Sequence, residues 1–122
     1  ITIIPTIISN RKKTQESIKQ TTEAIEKRVD KLQSSFDTHV KDYEAAKASS
    51  QRYRILRFYD EVCEGRKHSE SHFEDILQDI DEYETYCEHH NEYKNNRGHV
   101  AMEYIKTIYS KIKADGGFLT HE

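Results

Sequence analysis

The chain has 122 residues, of which 34% are charged and 34% hydrophobic, with four glycines and one proline. This length allows one compact domain with an extended element and excludes a large enzyme fold. A formal net charge of −3 excludes a uniformly basic nucleic-acid-binding protein. The charge is uneven, because residues 1–50 carry 9 basic and 7 acidic side chains whereas residues 51–122 carry 10 and 15.

The chain begins with a short apolar run, Ile1 to Ile8, followed by the basic cluster Arg11 to Lys13. This run is too short to cross a bilayer, which needs about 20 apolar residues, but it suits the end of a spanning helix. A basic flank stays on the cytoplasmic side of a membrane. We therefore expect residues 1–10 to end a truncated membrane segment. The alternatives are a cloning remnant, a cleaved end or a short segment packed on the domain.

The next stretch, residues 11–50, has no glycine or proline and repeats its apolar positions every seven residues. One row is Ile18, Ile25, Leu32, His39 and Ala46, and the other is Thr22, Val29, Phe36, Tyr43 and Ser50. Alternating steps of three and four residues predict a coiled-coil stalk. We expect the stalk to self-associate through Ile18, Ile25, Val29, Leu32 and Phe36. The alternative is one amphipathic helix folded back on its own chain.

The repeat weakens after Phe36, where polar, bulky or very small residues replace the aliphatic ones. Packing in a coiled coil should weaken with it. We therefore expect a hinge or boundary at residues 45–50, through which the helix is free to continue. It would separate the stalk, residues 11–50, from an acidic helical head, residues 51–122.

Start and stop signals divide the head into three predicted helices. The first ends at Gly65, the second runs near residues 71–89 with Ser71 and Glu74 as a capping box, and Asn96 caps the third. The predicted buried face of the third helix is Val100, Ala101, Tyr104, Ile105, Ile108, Tyr109 and Ile112. Gly116 and Gly117 end it, and Phe118 with Leu119 would fold back as an apolar latch. The predicted fold is all-α: a long N-terminal coiled-coil helix followed by a small three-helix head.

Common catalytic signatures are absent: the sequence has no Gly-rich phosphate loop, HExxH motif, nucleophile elbow or CxxC motif. His68 with His72, and Cys87, His89 and His90 with His99, suggest a zinc site because Cys and His are the usual zinc ligands. No paired ligand motif of recognised zinc spacing is complete, and histidines near helix ends more often cap helices or face solvent. We predict no catalytic residue, no metal site and no cofactor.

The second predicted helix is strongly acidic. Its acids are Glu70, Glu74, Asp75, Asp79, Asp81, Glu82, Glu84 and Glu88, and no Lys or Arg falls between Lys67 and Lys94. Like charges at helical spacing repel. The plain interpretation is a solvated face opposite Arg52, Arg54 and Arg57. The functional interpretation is a surface for a basic partner, with Glu74, Asp81, Glu84 and Glu88 as the binding residues.

One set of residues in the head has a pattern found in a known group of proteins: Arg54 to Phe58, Asp60, Glu61, His68, Ser69, Phe73, Ile76, Leu77, Asp79, Ile80, Tyr83, Glu84, Tyr86 and Cys87, extended by Tyr93 to Asn96, Ile105, Tyr109, Phe118 and Leu119. On these residues the head resembles small proteins encoded by phages and prophages of Gram-positive bacteria, in the region between tail and lysis genes. The likeness covers residues 52–119. The stalk is similar only in the kind of segment it is, a charged coiled coil. It implies a short membrane segment, a charged coiled coil and this head, and adds no catalytic residue.

Together these observations predict a non-enzymatic phage protein, tethered to the host bacterial cell membrane through a segment upstream of Arg11, with its head on the cytoplasmic side. We expect a homo-oligomer whose head binds a host or phage protein and does not bind nucleic acid directly. One alternative is a soluble inhibitor or anti-defence protein whose acidic helix mimics nucleic acid. A metal-dependent enzyme is a third class.

Overall fold

The computed structural model describes the backbone of residues 3–90 and 96–120 and the side chains of residues 4–90 and 98–120. These residues form three helices: α1 spans Ile3–Cys63, α2 spans Glu70–Glu88 and α3 spans Asn96–Asp115. No strand occurs in the described ranges, and the predicted all-α fold is confirmed. The turn expected between α2 and α3 lies mostly at residues 91–95, outside the described residues.

The first helix runs for 61 residues without a break. Pro5 lies in its first turn, where a missing backbone N–H leaves no helical hydrogen bond unmade. The expected hinge at residues 45–50 remains helical, because alanine is the strongest helix former and no glycine or proline interrupts the stretch. The first helix of the head is therefore the C-terminal end of α1, and the head still consists of three helices.

The chain divides into two compact units, Ile1–Tyr43 and Glu44–Glu122. The stalk end expected at residue 50 falls inside the second unit, because Ala48 and Gln51 are already 1% and 2% exposed. Ala48 belongs to the hydrophobic core of that unit, and the Gln51 side-chain amide donates a hydrogen bond to Glu82 of α2. Packing in the head thus begins by Ala48, before the stalk end expected at residue 50.

Apolar side chains of the first unit are exposed near the start of α1: Ile4 is 62% exposed, Ile7 47% and Ile8 50%. None of the helices in the described parts of the chain combines the length and the apolar character that a membrane crossing requires.

The head is held together by one hydrophobic core to which all three helices contribute. The core residues are Ala48, Ile55 and Phe58 of α1, Phe73, Ile76, Ile80 and Tyr83 of α2, and Met102 and Ile105 of α3. Their spacing of three, four or seven residues within each helix places them on one face of that helix. Phe58 and Phe73 meet edge to face, with ring centroids 4.8 Å apart.

Helix ends in the head are closed mainly by their own turns. Gly65, at φ 85, donates its N–H to the Val62 carbonyl at 3.0 Å while Arg66 donates to Glu61 at 3.0 Å, which is the Schellman arrangement. Gly116, at φ 70, donates to Ile112 at 2.7 Å. Both glycines therefore end their helices as predicted.

The N-cap of the second helix lies two residues earlier than predicted. Ser69, not Ser71, is the N-cap, and its hydroxyl accepts a hydrogen bond from the His72 backbone N–H at 3.1 Å. The predicted capping box with Glu74 is therefore wrong. Ser69 has the extended backbone that an N-cap requires, at φ −69 and ψ 156, whereas Ser71 is already helical.

The buried face of α3 differs from the prediction at three positions. Met102 is 2% exposed although it was not in the predicted face, whereas Val100 is 61% exposed and Tyr104 is 39% exposed. Ala101, Met102 and Ile105 are buried because steps of three and four residues keep them on one side of the helix, and Val100 falls outside that set. The prediction had assigned Val100 to the buried face only because its side chain is apolar.

The C-terminal segment folds back on the head, as the sequence predicts. The Leu119 N–H donates to the His68 carbonyl at 2.9 Å, and the half-buried Phe118 packs on Phe73 with ring centroids 5.6 Å apart. Leu119 itself remains 46% exposed. Phe118 is therefore the apolar part of the latch, and Leu119 holds it through the backbone.

We expect a fragment of residues 44–122 to unfold cooperatively, and a fragment of residues 52–122 to be less stable by about 1–3 kcal/mol. The shorter fragment loses the buried Ala48 and the hydrogen bond of Gln51. Thermal melting followed by circular dichroism measures this as a fall of about 4–8 °C per kcal/mol. Identical melting of the two fragments would contradict the contribution of residues 44–51 to the core.

Candidate functional site

The first candidate surface is the stalk seam, which we define as Ile18, Ile25, Val29, Leu32 and Phe36. Its side chains are 60%, 55%, 55%, 70% and 63% exposed in that order. Five large apolar side chains on one helix within about 27 Å of helix length make a continuous apolar stripe. Such stripes on soluble proteins commonly mark an interaction surface.

The stripe continues beyond Phe36 through a residue that the seven-residue repeat misses. Val40 is 36% exposed and Tyr43 is 69% exposed, and Val40 is apolar where the repeat expects His39. From Leu32 through Phe36 and Val40 to Tyr43 the mean step is about 3.7 residues, the spacing of an eleven-residue repeat. Measuring the step between successive apolar residues, without a fixed period, identifies Val40 from the sequence.

The second candidate surface is the acidic face of α2, and the head neutralises about half of it. Asp79 accepts two hydrogen bonds from the Arg54 guanidinium, at 2.8 and 3.0 Å, and Glu82 lies 3.5 Å from the Lys47 ammonium. These contacts tie α2 to α1. The hydrogen bond that Arg54 donates to Asp79 raises the pKa of Arg54, so the guanidinium stays charged.

On the α3 side, the Lys106 ammonium donates to Glu84 at 2.9 Å, and Lys113 lies 3.9 Å from Glu70. The hydrogen bond to Glu84 raises the pKa of Lys106. Glu84 is therefore placed differently from the other three residues predicted to bind a partner. Glu84 faces Lys106 of α3, and the sequence of α2 alone does not reveal this neighbour.

The remaining acids of α2 form no ion pair with any described side chain: Glu74, Asp75, Asp81 and Glu88. All four are exposed. Glu74, Asp81 and Glu88 recur every seven residues, so they lie along one line of the helix with about 10.5 Å between neighbours. We call these three residues the outer acidic row. Tertiary packing thus separates three of the four predicted binding residues from the acids that stabilise the head.

A third feature is a contact between the two histidines that flank the start of α2. The Nδ1 atoms of His68 and His72 are 3.1 Å apart, and His68 Nε2 lies 3.3 Å from a Glu61 carboxylate oxygen. The His68 side chain is 9% exposed and its ring packs on Phe58 at 4.3 Å between centroids. One of the two Nδ1 atoms must carry the hydrogen of this contact. The contact is therefore compatible with two neutral rings, or with one protonated ring that donates to a neutral one.

This environment lowers the pKa of His68. The main cause is burial, followed by repulsion from His72, while the Glu61 carboxylate acts in the opposite direction and Arg66 adds to the lowering. The neutral ring is therefore the stable form in the folded head at neutral pH.

The other histidines named as metal candidates serve helix ends or face solvent. His89 donates from Nδ1 to the Thr85 carbonyl and His90 to the Tyr86 carbonyl, both at 2.8 Å, while His99 is exposed. Among the described residues no group of three or more Cys, His, Asp or Glu side chains has an arrangement that could hold a metal ion.

Comparison of this chain with models of protein families, with curated proteins and with solved structures found no match in any of the three.

We expect the head to lose stability as the pH falls below about 6.5, the ordinary histidine pKa. Because the pKa of His68 is lowered in the folded state, the unfolded chain binds a proton at a higher pH than the folded chain does. The free energy of unfolding therefore falls as the pH drops from the ordinary pKa to the folded pKa. Melting temperatures between pH 7.5 and pH 5 measure the loss. The His68→Gln variant should flatten this dependence and the exposed control His99→Gln should not; equal slopes in both variants would contradict the assignment.

Proposed function

We propose that this chain is a non-enzymatic structural and binding protein that self-associates through its stalk. The observation that carries the proposal is the stalk seam, whose five large apolar side chains are all at least 55% exposed. Leaving an apolar stripe in water is unfavourable by roughly 25 cal/mol for each Å² that a partner would bury. A partner for the seam is the simplest explanation of its pattern.

A second copy of this chain is the occupant that the sequence of the stalk favours. In a parallel, in-register pair, each seam residue meets its own copy, and the flanking side chains pair five residues apart. These flanking pairs are Thr21 with Glu26, Arg28 with Gln33, and Ser35 with Val40. None of them joins like charges, so the arrangement carries no electrostatic penalty along the seam.

We further propose that the head binds a basic surface of another protein, from the host or the phage, through the outer acidic row. The support is the division of the acids of α2: Asp79, Glu82, Glu84 and Glu70 form ion pairs with α1 or α3, whereas the outer row forms none among the described residues, although Glu74 still attracts Lys113 at longer range. Unpaired carboxylates on one line of a helix leave their charge available for lysine or arginine side chains. Glu84 takes part in this binding only if the basic protein displaces Lys106 from it.

Phage origin and membrane attachment remain parts of the proposal that derive from the sequence. Phage origin rests on the resemblance of residues 52–119, and attachment rests on the apolar residues before Arg11. In this proposal a segment upstream of Arg11 enters the host cell membrane, and the head faces the cytoplasm because Arg11 to Lys13 form a basic flank.

Mimicry of nucleic acid receives less support than a basic protein partner. A DNA duplex carries one charge per about 1.7 Å of its length, or about twelve over the roughly 21 Å between Glu74 and Glu88. The described face of α2 offers three acids in the outer row and Asp75 beside it. The charge density is therefore several times lower than that of the duplex it would imitate.

To test the stalk, we expect the double variant Ile25→Asp and Leu32→Asp to dissociate the oligomer, because each copy would bury unpaired carboxylates at a cost of several kcal/mol. Light scattering after gel filtration at tens of micromolar measures the mass. The control, Ala24→Asp with Ser34→Asp, adds the same charge outside the seam and should stay associated. A wild-type chain that is already monomeric would refute self-association.

To test the head, we expect charge reversal of the outer row, Glu74→Lys, Asp81→Lys and Glu88→Lys, to abolish binding of a basic partner without lowering the melting temperature. The matched reversal of Asp79, Glu82 and Glu84 should lower the melting temperature because it breaks contacts to α1 and α3. Affinity measured with increasing salt should fall for the wild type, since exposed charges are screened beyond about 8 Å at physiological ionic strength. Full affinity after outer-row reversal would exclude this surface.

A further inference from the structure

A cavity of about 390 Å³ lies in the head where the end of α1, the loop that follows it and the second half of α3 meet. Its volume falls within the range of small-molecule sites, which is roughly 300–1,000 Å³. Nothing in the proposed function uses it, because neither the stalk seam nor the outer acidic row contributes a residue to its lining.

The floor of the cavity is apolar. Its lining includes Val62 at the end of α1, Phe73 of α2, and Tyr104, Ile108 and Ile112 of α3. Phe73 is 1% exposed and connects the floor to the hydrophobic core. Tyr104 is 39% exposed and is held by an edge-to-face contact with Tyr59 at 5.4 Å. A flexible alkyl or aromatic group placed here would exchange water for a preformed apolar surface.

The rim of the cavity is basic, although the head as a whole is acidic. Arg66, Lys67 and Lys111 line it together with a single acid, Asp115. Arg66 contacts the Glu61 carboxylate at 3.2 Å, whereas Lys67 and Lys111 form no ion pair with a described side chain. This local excess of positive charge occurs within residues 51–122, where acids outnumber bases by 15 to 10.

Helix capping does not account for these two lysines. The end of α1 is closed by the N–H groups of Gly65 and Arg66, and the end of α3 by that of Gly116. The carbonyls of Glu61, Val62 and Ile112 therefore have backbone donors and need no ammonium group. Lys67 and Lys111 remain available to a ligand at the mouth of the cavity.

We infer that this cavity binds a small amphiphilic anion, with its apolar tail over the floor and its carboxylate or phosphate between Lys67 and Lys111. The two parts of the lining specify the two parts of the ligand: the floor selects apolar area and the rim selects negative charge. A free long-chain carboxylate and the head group of an anionic lipid share this chemistry. The inference does not depend on self-association or on a protein partner.

Titration of the full chain with octanoate, followed by amide NMR, tests the site. We expect the largest shifts at Ile108, Gly116 and Gly117 and a dissociation constant on the order of a millimolar, from the usual affinity per ligand atom. Octylammonium, which has the same tail and the opposite charge, should bind at least tenfold more weakly. Equal binding of the two probes, or the absence of shifts around the cavity, would overturn the inference.

Two variants separate charge from shape. Lys67→Glu with Lys111→Glu should weaken octanoate at least tenfold, whereas the control Lys31→Glu with Lys41→Glu, on exposed positions of the stalk, should not change it. Gly117→Leu should also weaken binding by filling the cavity, since a Cβ there meets only Ile112 at 3.6 Å and the backbone is not strained. Unchanged affinity in both cavity variants would place the ligand elsewhere.

Vesicles of phosphatidylglycerol, compared with vesicles of phosphatidylcholine, distinguish the two sources of the anion. Binding to the anionic vesicles that disappears in the Lys67→Glu, Lys111→Glu variant assigns a lipid head group. Octanoate binding without such vesicle binding assigns a free carboxylate.

Discussion

The head depends on the contact of Phe58 with the start of α2. The Phe58 ring meets Phe73 at 4.8 Å and the rings of His68 and His72 at 4.3 and 5.0 Å. One side chain of α1 therefore fixes both the loop that leaves α1 and the first turn of the next helix. Large aromatic residues suit this role because they bury much apolar area and prefer edge-to-face geometry.

From this contact the other features of the head follow in order. Phe73 also contacts Phe118, so the C-terminal segment packs over the same ring. The backbone hydrogen bond from Leu119 to His68 then ties this segment to the loop that leaves α1. The charged side chains arrange themselves around that core: Asp79 contacts Arg54, Glu84 contacts Lys106, and the outer acidic row remains exposed to solvent. The apolar core decides where α2 lies, and the position of α2 then decides which acids are neutralised. Electrostatics in this head is thus a consequence of packing.

The same principle separates the functional surfaces from the structural ones. Side chains that satisfy each other inside the head are unavailable to a partner, as with Glu84 beside Lys106. Groups left without such a contact among the described residues, the stalk seam and the outer acidic row, are the ones on which we base the proposed function. The cavity with Lys67 and Lys111 belongs to this second group as well, since local turns satisfy the nearby helix ends.

The sequence by itself determined the secondary structure, because each of its signals acts over a few residues. Scarcity of glycine and proline predicts the long α1, and Gly65 and Gly116 predict two helix ends through their positive φ. Local signals were ambiguous where two neighbouring residues competed, so that Ser69 replaced Ser71 as the cap and Met102 replaced Val100 in the core.

Only the tertiary structure decided which residues of different helices meet. Nothing within α2 distinguishes Glu84 from Asp81, because that difference comes from Lys106, 22 residues away in the chain. The cavity is similarly invisible in the sequence, since Lys67 and Lys111 come together only when α1 and α3 pack. Hydrophobic burial is non-directional and predicts that helices pack, whereas the partner of each side chain depends on the geometry of the finished core.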